Sequence, residues 1–427
     1  HPLLDTLPTD FSSAIEVHKS AQPVRFGNMA FGAVNLVPAR AVGDGWSGST
    51  RIEYGSWDTR SLYASAAYRD EQANLHAALS RRESDGHRPD ASGEVTAGQL
   101  RAAWATESGW DLSFLAQVVS SEALDPGREG ETRPIVGRYE IENQFILAEA
   151  GRRAGDWEFR ARAYLEAGEL DWRQWHTPPP PPFPAQALNT LTDYGNHGAR
   201  LHAIYEGERM ALAGGVDVDS YGGRVTEAFA GGATNRFNEE RFHLAAPHLM
   251  LEWDLVPERQ GEWILSLGAR YFRHDAFADE LGGQAGLRYR TDRLTAYANA
   301  ARGLNYPGVF VSVFGRRPPP WNVGLDWSRL EAETIDHLET GIQARIGEGL
   351  VLNAAVFHDE VGNALRIAPP PPAGRIFNLG GYTVQGAELS LQGVVRESVR
   401  LFGAATFLDA DETVPNAPEW TLVAGAE

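Results

Sequence analysis

The chain has 427 residues but contains no cysteine, only three methionines and a single lysine, Lys19. Without cysteine it has no disulfide framework, no thiolate metal site and no cysteine nucleophile. Its 38 basic residues are outnumbered by 57 acidic ones. The resulting net charge of −19 argues against a protein that binds nucleic acid through a basic surface. No apolar run approaches the roughly 18 residues that a membrane-spanning helix needs, so the sequence predicts no transmembrane helix.

The motifs of common hydrolases and nucleotide-binding enzymes are also missing. The sequence contains no Gly-x-Ser-x-Gly, no His-Glu-x-x-His and no phosphate-binding glycine loop. Asp217 and Asp219 would face the same side of a strand, but two carboxylates in that arrangement usually form a solvated wall. We therefore expect neither enzymatic activity nor a cofactor.

Alternation of apolar and polar residues is the pattern that recurs along the chain. The 45 glycines and 25 prolines are spread along its whole length and interrupt any long helical pattern. Between positions 157 and 167, for example, Trp157, Phe159 and Leu165 share one face of a strand, and charged residues such as Arg160 share the other. The apolar faces are rich in alanine and glycine and end in tryptophan, a mix expected where lipid chains are the neighbours. The pattern favours a membrane barrel over a soluble sandwich or solenoid.

The connections between the candidate strands support the same fold class. From the second strand onward they alternate between short turns and mostly long loops. An up-and-down outer-membrane barrel has tight periplasmic turns and long external loops. Trp110, Trp157, Trp253 and Trp263 all lie beside short turns, where an aromatic girdle would meet the inner membrane interface. We therefore predict an all-β, transmembrane, antiparallel up-and-down β-barrel embedded in a lipid bilayer. Its eighteen candidate strands lie near 45–57, 59–69, 74–82, 98–107, 110–120, 136–150, 156–168, 194–206, 209–220, 241–255, 262–273, 282–290, 293–302, 334–346, 349–360, 381–393, 398–408 and 419–427.

Residues 1–44 do not follow this rhythm. They contain Ile15-Glu16-Val17, then an aromatic-Gly-Asn run at 26–28 and Ala-Phe-Gly-Ala-Val-Asn at 30–35. In order and spacing they resemble the end of the plug domain of TonB-dependent outer-membrane receptors, where Ile-Glu-Val precedes an aromatic-Gly-Asn/Ser pair and Ala-x-Gly-Gly-Val-Ile-Asn. The chain departs from that pattern where Lys-Ser-Ala at 19–21 replaces Arg-Gly-Pro and where Ala33 replaces the second glycine.

Segments of the barrel resemble the same family. They are 301–307, 330–341, 351–357, 378–388 and 414–418. The family barrel has twenty-two strands, so the resemblance implies that residues 45–427 are a barrel lacking about four C-terminal strands. Residues 1–44 would then be the C-terminal part of the plug, with the TonB-binding box before residue 1. We therefore expect a fragment, or a chain trimmed at both ends.

The resemblance also implies a function. It predicts a receptor of the bacterial outer membrane that actively takes up a scarce ligand, most readily a ferric siderophore, with the TonB energy-transducing protein as its partner. The alternatives are a passive diffusion porin, or a receptor for haem, cobalamin or another metal chelate. An outer-membrane protease or lipase is a further alternative that no catalytic pair in the sequence supports.

Two predicted outer loops, 169–193 and 303–333, carry the candidate ligand-binding residues. Arginines suit anionic carboxylate, catecholate or phosphate groups, and aromatic rings provide flat apolar contacts. Packing of arginines and aromatics among the loops explains the same residues equally well. The candidates are Trp172, Arg173, Trp175 and His176 in the first loop, and Tyr306, Phe310, Arg316, Arg317 and Trp321 in the second.

Two glutamates are candidates for contacts between plug and barrel. Glu339 and Glu388 match barrel glutamates that in the family pair with basic plug residues, and Lys19 and Arg25 are the available partners here. A solvated lumen wall is the alternative interpretation of the two glutamates.

The histidines are the only evident metal ligands. His243 and His248 are five residues apart on one strand, so they face opposite sides and cannot share a metal, and the same holds for His197 and His202. The scarcity of methionine and the lack of cysteine also disfavour a soft-metal relay for copper. We therefore expect no metal site.

Overall fold

The computed structural model describes most of the chain. The described residues are 7–19, 22, 24, 27, 32–126, 136–175, 188–229, 232–256, 261–316, 327–347, 349–368, 375–378, 380–395, 399–411 and 418–427. The first elements are a 3-10 turn at Thr9–Phe11 and two paired strands, β1 (Ser12–Lys19) and β2 (Gly32–Pro38).

The remaining strands are β3 (Gly45–Gly55), β4 (Thr59–Arg69), β5 (Ala73–Ser84), β6 (Gly93–Ala105), β7 (Trp110–Asp125), β8 (Val136–Ala154), β9 (Trp157–Trp175), β10 (Asn189–Glu206), β11 (Met210–Ala228), β12 (Thr234–Arg236), β13 (Glu240–Val256), β14 (Glu262–His274), β15 (Glu280–Arg290), β16 (Leu294–Asn305), β17 (Glu333–Ile346), β18 (Leu350–Gly362), β19 (Leu365–Ala368), β20 (Arg375–Asn378), β21 (Tyr382–Val395), β22 (Val399–Ala410) and β23 (Trp420–Ala426). A short helix, α1 (Phe310–Arg316), and a 3-10 turn at Trp327–Arg329 lie between β16 and β17.

Apart from β19 and β20, these strands form one antiparallel barrel in which neighbours in sequence are neighbours in space. The short strand β12 lies beside β11, and β19 and β20 form a separate hairpin. In the described part of the chain the eighteen long strands are therefore β3–β11, β13–β18 and β21–β23, and the predicted up-and-down barrel of about eighteen strands is confirmed. Strand β3 pairs with β4 and strand β23 pairs with β22, and both β3 and β23 have side chains that are exposed almost throughout.

The two ends of the barrel differ in their connections. The links that join β4 to β5, β6 to β7, β8 to β9 and β10 to β11 have two to four residues and lie at one end, which we call the inner end. The opposite, outer end carries most of the long connections, such as 306–332 between β16 and β17. This division agrees with the predicted alternation of short turns and long loops.

The two faces of each strand have different neighbours. Phe159, Leu165 and Leu267 are exposed, so their side chains lie on the outside of the cylinder rather than in a sealed core. Trp157 and Trp263 are also exposed, and they are the first residue of β9 and the second residue of β14 at the inner end. An apolar outer band bounded by aromatic residues is the arrangement that a lipid bilayer requires. Among the described residues no helix is long and apolar enough to cross a membrane.

Several strands continue beyond the lipid at the outer end. β8, β9 and β11 each have 19 residues, whereas a tilted strand crosses the bilayer with about 9 to 11. The predicted loop 169–193 is therefore wrong at both ends, because β9 runs on to Trp175 and β10 begins at Asn189. Outside the bilayer both faces of a strand meet water, and the ladder of backbone hydrogen bonds continues without an apolar face.

An apolar core closes around the connection between β16 and β17 at the outer end. Phe242, Phe272, Leu304 and Val311 are all almost fully buried in it, together with aromatic rings from neighbouring links. The part of the predicted loop 303–333 that the structure describes is therefore packed against the barrel and contains α1.

Candidate functional site

The N-terminal segment, by which we mean the described residues between 7 and 44, is held against the inside of the barrel wall. Its first contact is Phe11, whose side chain is 0% exposed and packs on Ala78, Ala97 and Val119 of β5, β6 and β7. The ring also lies 6.4 Å from that of Tyr63 in β4. We call this contact the apolar anchor. An aromatic ring enclosed by four neighbouring strands fixes the start of the segment to one side of the lumen.

Polar contacts accompany the apolar anchor. The Arg51 guanidinium donates to Asp10 Oδ1 at 2.5 Å and lies 5.3 Å from the Tyr63 ring centroid. Further along, the side-chain amide of Asn74 donates to Ala41 O at 2.9 Å and its oxygen accepts from Ala41 N at 3.2 Å. Asn74 follows a turn at the inner end of the barrel. The C-terminal part of the N-terminal segment therefore contacts the barrel wall at that end.

The N-terminal segment has a second contact on β14, which is nearly half of the barrel's strand order away from the first contact. Arg270 is buried, and its Nη1 donates to Val24 O at 3.2 Å. A Cβ at Gly268 would lie only 2.8 Å from Val24 Cγ2, so glycine at this position lets Val24 approach the wall. We call this contact the polar anchor.

The polar anchor belongs to a network across three more strands. The second terminal nitrogen of Arg270, Nη2, donates to Asp217 Oδ2 of β11. Arg200 of β10 contacts Asp217 Oδ2 at 3.4 Å and donates to Asp219 Oδ1 at 2.7 Å. Tyr164 of β9 donates to the same Asp219 oxygen at 2.6 Å. The expectation that Asp217 and Asp219 form a solvated wall is wrong for Asp217, whose side chain is 8% exposed and paired.

Two histidines meet in this network. His202 Nε2 lies 3.0 Å from Asp217 Oδ1, and the ring centroids of His202 and His248 are 4.9 Å apart at 86°. The argument that His243 and His248 face opposite sides holds within one strand, but it did not consider histidines on different strands. The pairings His202–Gly215 and Gly215–His248 place both imidazoles on the lumen side. His202, Asp217 and His248 are residues that could together hold a metal.

The predicted plug–barrel glutamates face a second part of the lumen. Glu339 and Glu388 line one cavity of about 600 Å³ with Glu252, Arg288 and Tyr297. The structure therefore places the two glutamates on the wall of the same cavity. Lys19 is the last residue of β1, but its side chain and all of Arg25 lie outside the described residues. Their pairing with the glutamates stays a prediction.

Three of the four residues in the first group of predicted ligand-binding residues, Trp172, Arg173 and Trp175, are on β9 and not in a loop. The Trp172 ring stacks on that of Tyr139 at 5.6 Å and 4°. Arg173 donates to Asp171 Oδ2 at 2.7 Å and lies 3.7 Å from Glu140. These contacts match the packing interpretation, and a ligand would have to compete with them. The side chain of Trp175 and all of His176 lie outside the described residues.

The second group divides between core and surface. Tyr306 is 4% exposed, and its hydroxyl donates to Ala278 O at 2.9 Å. Burial raises the pKa of the Tyr306 hydroxyl, so this side chain is a neutral packing group. Phe310 begins α1 and is 42% exposed, which leaves part of its ring accessible. The Arg316 side chain, Arg317 and Trp321 lie outside the described residues.

Sequence reasoning missed the residues that enclose Tyr306. His274 has a fully buried side chain, and its Nε2 is 2.8 Å from the Tyr221 hydroxyl. Phe242 and Phe277 pack against the His274 ring, and Trp327 packs against Phe277 in the same core. The only available signal was the inward parity of Phe242 and His274 on their strands, which does not reveal what covers them.

The matching family model is described as TonB dependent receptor-like, beta-barrel, and it covers residues 42–427. No curated protein sequence matches the chain. Among solved structures, the chain is similar to the copper transporter OprC, with 16% identity and a TM-score of 0.76 over 93% of this chain and 67% of that one. It is also similar to the siderophore receptor PirA from Pseudomonas aeruginosa, with 18% identity and a TM-score of 0.70 over 96% and 73%.

A third similar structure is the pyoverdine outer membrane receptor FpvA from Pseudomonas aeruginosa, with 11% identity and a TM-score of 0.74 over 98% of this chain and 70% of that one. At such low identities the solved structures establish the fold alone. The family model covers all the barrel strands, and with it the resemblance of the barrel to this family is confirmed. The chain belongs to the TonB-dependent receptors, a family of β-barrels of the bacterial outer membrane.

Proposed function

We propose that this chain forms the barrel, at 45–427, and the C-terminal part of the plug, at 1–44, of a receptor that imports a scarce ligand with energy supplied through TonB. The observation that carries the proposal is the N-terminal segment, which lies inside the lumen and is held by Phe11 on one side and by Arg270 on the other. A simple diffusion pore has no use for a segment anchored across its channel.

The need for an energy source follows from affinity. A ligand captured at a dissociation constant of about 1 nM is bound by about 12 kcal/mol, and release toward the periplasm must offset that energy. Force applied at the N-terminal side of the segment would act on Phe11 directly and would reach Val24 through β1. We infer that TonB supplies this force and that the protein has no enzymatic activity.

A ferric siderophore is the cargo that we favour. PirA is named a siderophore receptor and FpvA a pyoverdine receptor, and the predicted outer residues combine arginine with aromatic rings. In the proposal Phe310, Trp172 and Arg173 contact the ligand together with Trp175, His176, Arg316, Arg317 and Trp321, whereas Tyr306 supports them from within the core. Haem, cobalamin or another metal chelate is the alternative cargo. OprC is named a copper transporter, which is consistent with a cargo that contains a metal other than iron.

Growth and binding test the cargo. A strain without the gene should lose growth on one ferric siderophore as sole iron source and regain it with the gene, but not when TonB is absent. The purified protein should bind the same siderophore directly. Growth loss on haem or cobalamin instead would replace the favoured cargo while leaving active uptake in place.

Conductance tests the transport class. The full-length protein in planar bilayers should show no large steady current, because the lumen is occupied. A large steady current, together with uptake that does not depend on TonB, would favour the passive porin and overturn the proposal.

The glutamate pairs have their own test. We propose that Lys19 and Arg25 pair with Glu339 and Glu388 in the closed receptor. Exchanging the charges of one pair, Lys19→Glu with Glu388→Lys, should restore the ligand uptake that either single substitution reduces. Restoration in none of the four combinations would contradict the pairing without affecting the transport class.

A further inference from the structure

We propose that His202, Asp217 and His248 form a binding site for one divalent transition-metal ion, of the class of Zn²⁺ and Cu²⁺, on the lumen wall beside the N-terminal segment. One ligand atom from each of these residues lies within 4.8 Å of the other two. The three residues come from β10, β11 and β13, so the pairing of three strands builds the site.

The spacing of the donors is close to that of a coordination sphere. Donors bound to Zn²⁺ at about 2.0 to 2.2 Å stand roughly 3 to 3.5 Å apart. His202 Nε2 and Asp217 Oδ1 are already 3.0 Å apart. His248 completes the set, because its ligand atom lies within 4.8 Å of the other two and its ring is edge-on to the ring of His202 at 86°.

The surroundings orient two of the ligands. Asp217 presents Oδ1 to His202, while its other oxygen is held by Arg270 and by Arg200 at 3.4 Å. The Nδ1 of His248 lies 3.4 Å from Ala246 O, which favours a tautomer that leaves Nε2 as the donor to a metal. Outer partners of this kind usually fix the ligands of metal sites.

The local charge permits a cation despite the two arginines. Arg200 and Arg270 are matched by Asp217 and Asp219, so the four groups have no net formal charge. Both arginines bind the Asp217 oxygen that faces away from His202. A metal on Oδ1 therefore displaces neither arginine and replaces only the contact between Asp217 and His202.

The donor set selects the class of ion. Two imidazoles and one carboxylate suit Zn²⁺, Cu²⁺ or Ni²⁺, whereas Ca²⁺ and Mg²⁺ prefer oxygen ligands alone. Such a site needs neither the thiolates nor the thioethers whose scarcity disfavoured a soft-metal relay. His202 is 36% exposed, so the lumen side stays open for water or for a donor atom of a passing ligand, as in sites with three protein ligands.

Zinc titration tests the site in the purified full chain, in detergent and after chelator treatment. We expect one Zn²⁺ per chain by calorimetry, and an affinity that falls by at least about tenfold in His202→Ala and in His248→Ala, since loss of an outer partner alone costs that much. The matched control is His243→Ala, which lies on the same strand as His248 but pairs with Asp275 at 2.8 Å. The zinc affinity of His243→Ala should stay within about twofold of the wild-type value, which is small beside the tenfold loss expected in the two ligand variants.

Electron paramagnetic resonance of bound Cu²⁺ tests the site in the unmodified chain, whose spectrum should show coupling to two imidazole nitrogens. In either single histidine variant that folds, the spectrum should show coupling to one imidazole nitrogen. Absence of stoichiometric zinc binding, an affinity unchanged in both variants, or a copper spectrum without two-nitrogen coupling would each overturn the proposal.

Discussion

The two anchors of the N-terminal segment hold it by different physical means. At the apolar anchor, Phe11 is enclosed by side chains from four adjacent strands. At the polar anchor, Val24 is bound through its carbonyl oxygen to Arg270, which is itself paired with Asp217. Apolar burial has no replacement partner in a wet lumen, whereas water can take over the hydrogen bonds of a carbonyl group.

This difference predicts an order of release. In thermal opening the polar anchor should break more often than the apolar anchor, because its hydrogen bonds weaken steeply once the atoms move out of line. The apolar anchor keeps its burial until Phe11 has left the pocket formed by β4–β7. The N-terminal segment is thus held firmly on one side of the lumen and reversibly on the other.

The largest effect is expected at the apolar anchor. Replacing Phe11 by alanine removes a fully buried ring and should lower the free energy of opening of the β1–β2 hairpin by about 3 to 5 kcal/mol. Hydrogen exchange of peptides 12–19 and 32–38 measures that opening. Phe159→Ala is the matched control, because Phe159 is exposed on the outside of the barrel and its loss should leave hairpin exchange unchanged. Equal protection in Phe11→Ala and wild type would show that burial of this ring does not hold the segment.

An intermediate effect is expected at the polar anchor. Arg270→Met leaves Val24 O and one Asp217 oxygen without their buried donor, while Arg200 and His202 still contact Asp217. The opening free energy should fall by about 2 to 3 kcal/mol, less than for an isolated buried pair. Arg273→Met, three residues along the same strand and on its opposite face, serves as the control. An effect larger than that of Phe11→Ala would reverse the order of the two anchors.

Strand positions were the part of the fold that could be predicted from sequence. β4 begins and ends at Thr59 and Arg69, as predicted, because lipid on one side and water on the other impose a period of two. The outer ends were less accurate. β9 extends seven residues past the predicted end at 168, since the alternation fades where both faces meet water.

The candidate site was predicted less completely, for reasons of register. The short turn between β10 and β11 limits which residues face each other, so the neighbours of His202 on β11 could be deduced. The connection between β11 and β13 is long and contains β12, so no sequence rule aligns His248 with His202. The core around Tyr306 was missed for a related reason, because nothing in the pattern shows that α1 folds back onto the strand ends.

The smallest effect on the opening free energy is expected from the ion pair beside the apolar anchor. Asp10 and Arg51 are both partly exposed, and Arg51 also lies 3.4 Å from Glu53. Asp10→Asn should therefore lower the opening free energy by at most about 1 kcal/mol. Asp58→Asn is the control. It removes a comparable pair with Arg60, at 2.6 Å, on the link between β3 and β4 and should not change hairpin exchange.

Salt distinguishes the ion pair from the apolar contact. In 1 M salt, where the Debye length falls to about 3 Å, the difference in opening free energy between Asp10→Asn and wild type should vanish, while that of Phe11→Ala remains. A salt-independent effect of Asp10→Asn would mean that Asp10 acts through packing or backbone geometry, and the contact at Phe11 could then no longer be treated as an apolar anchor with a separable ion pair.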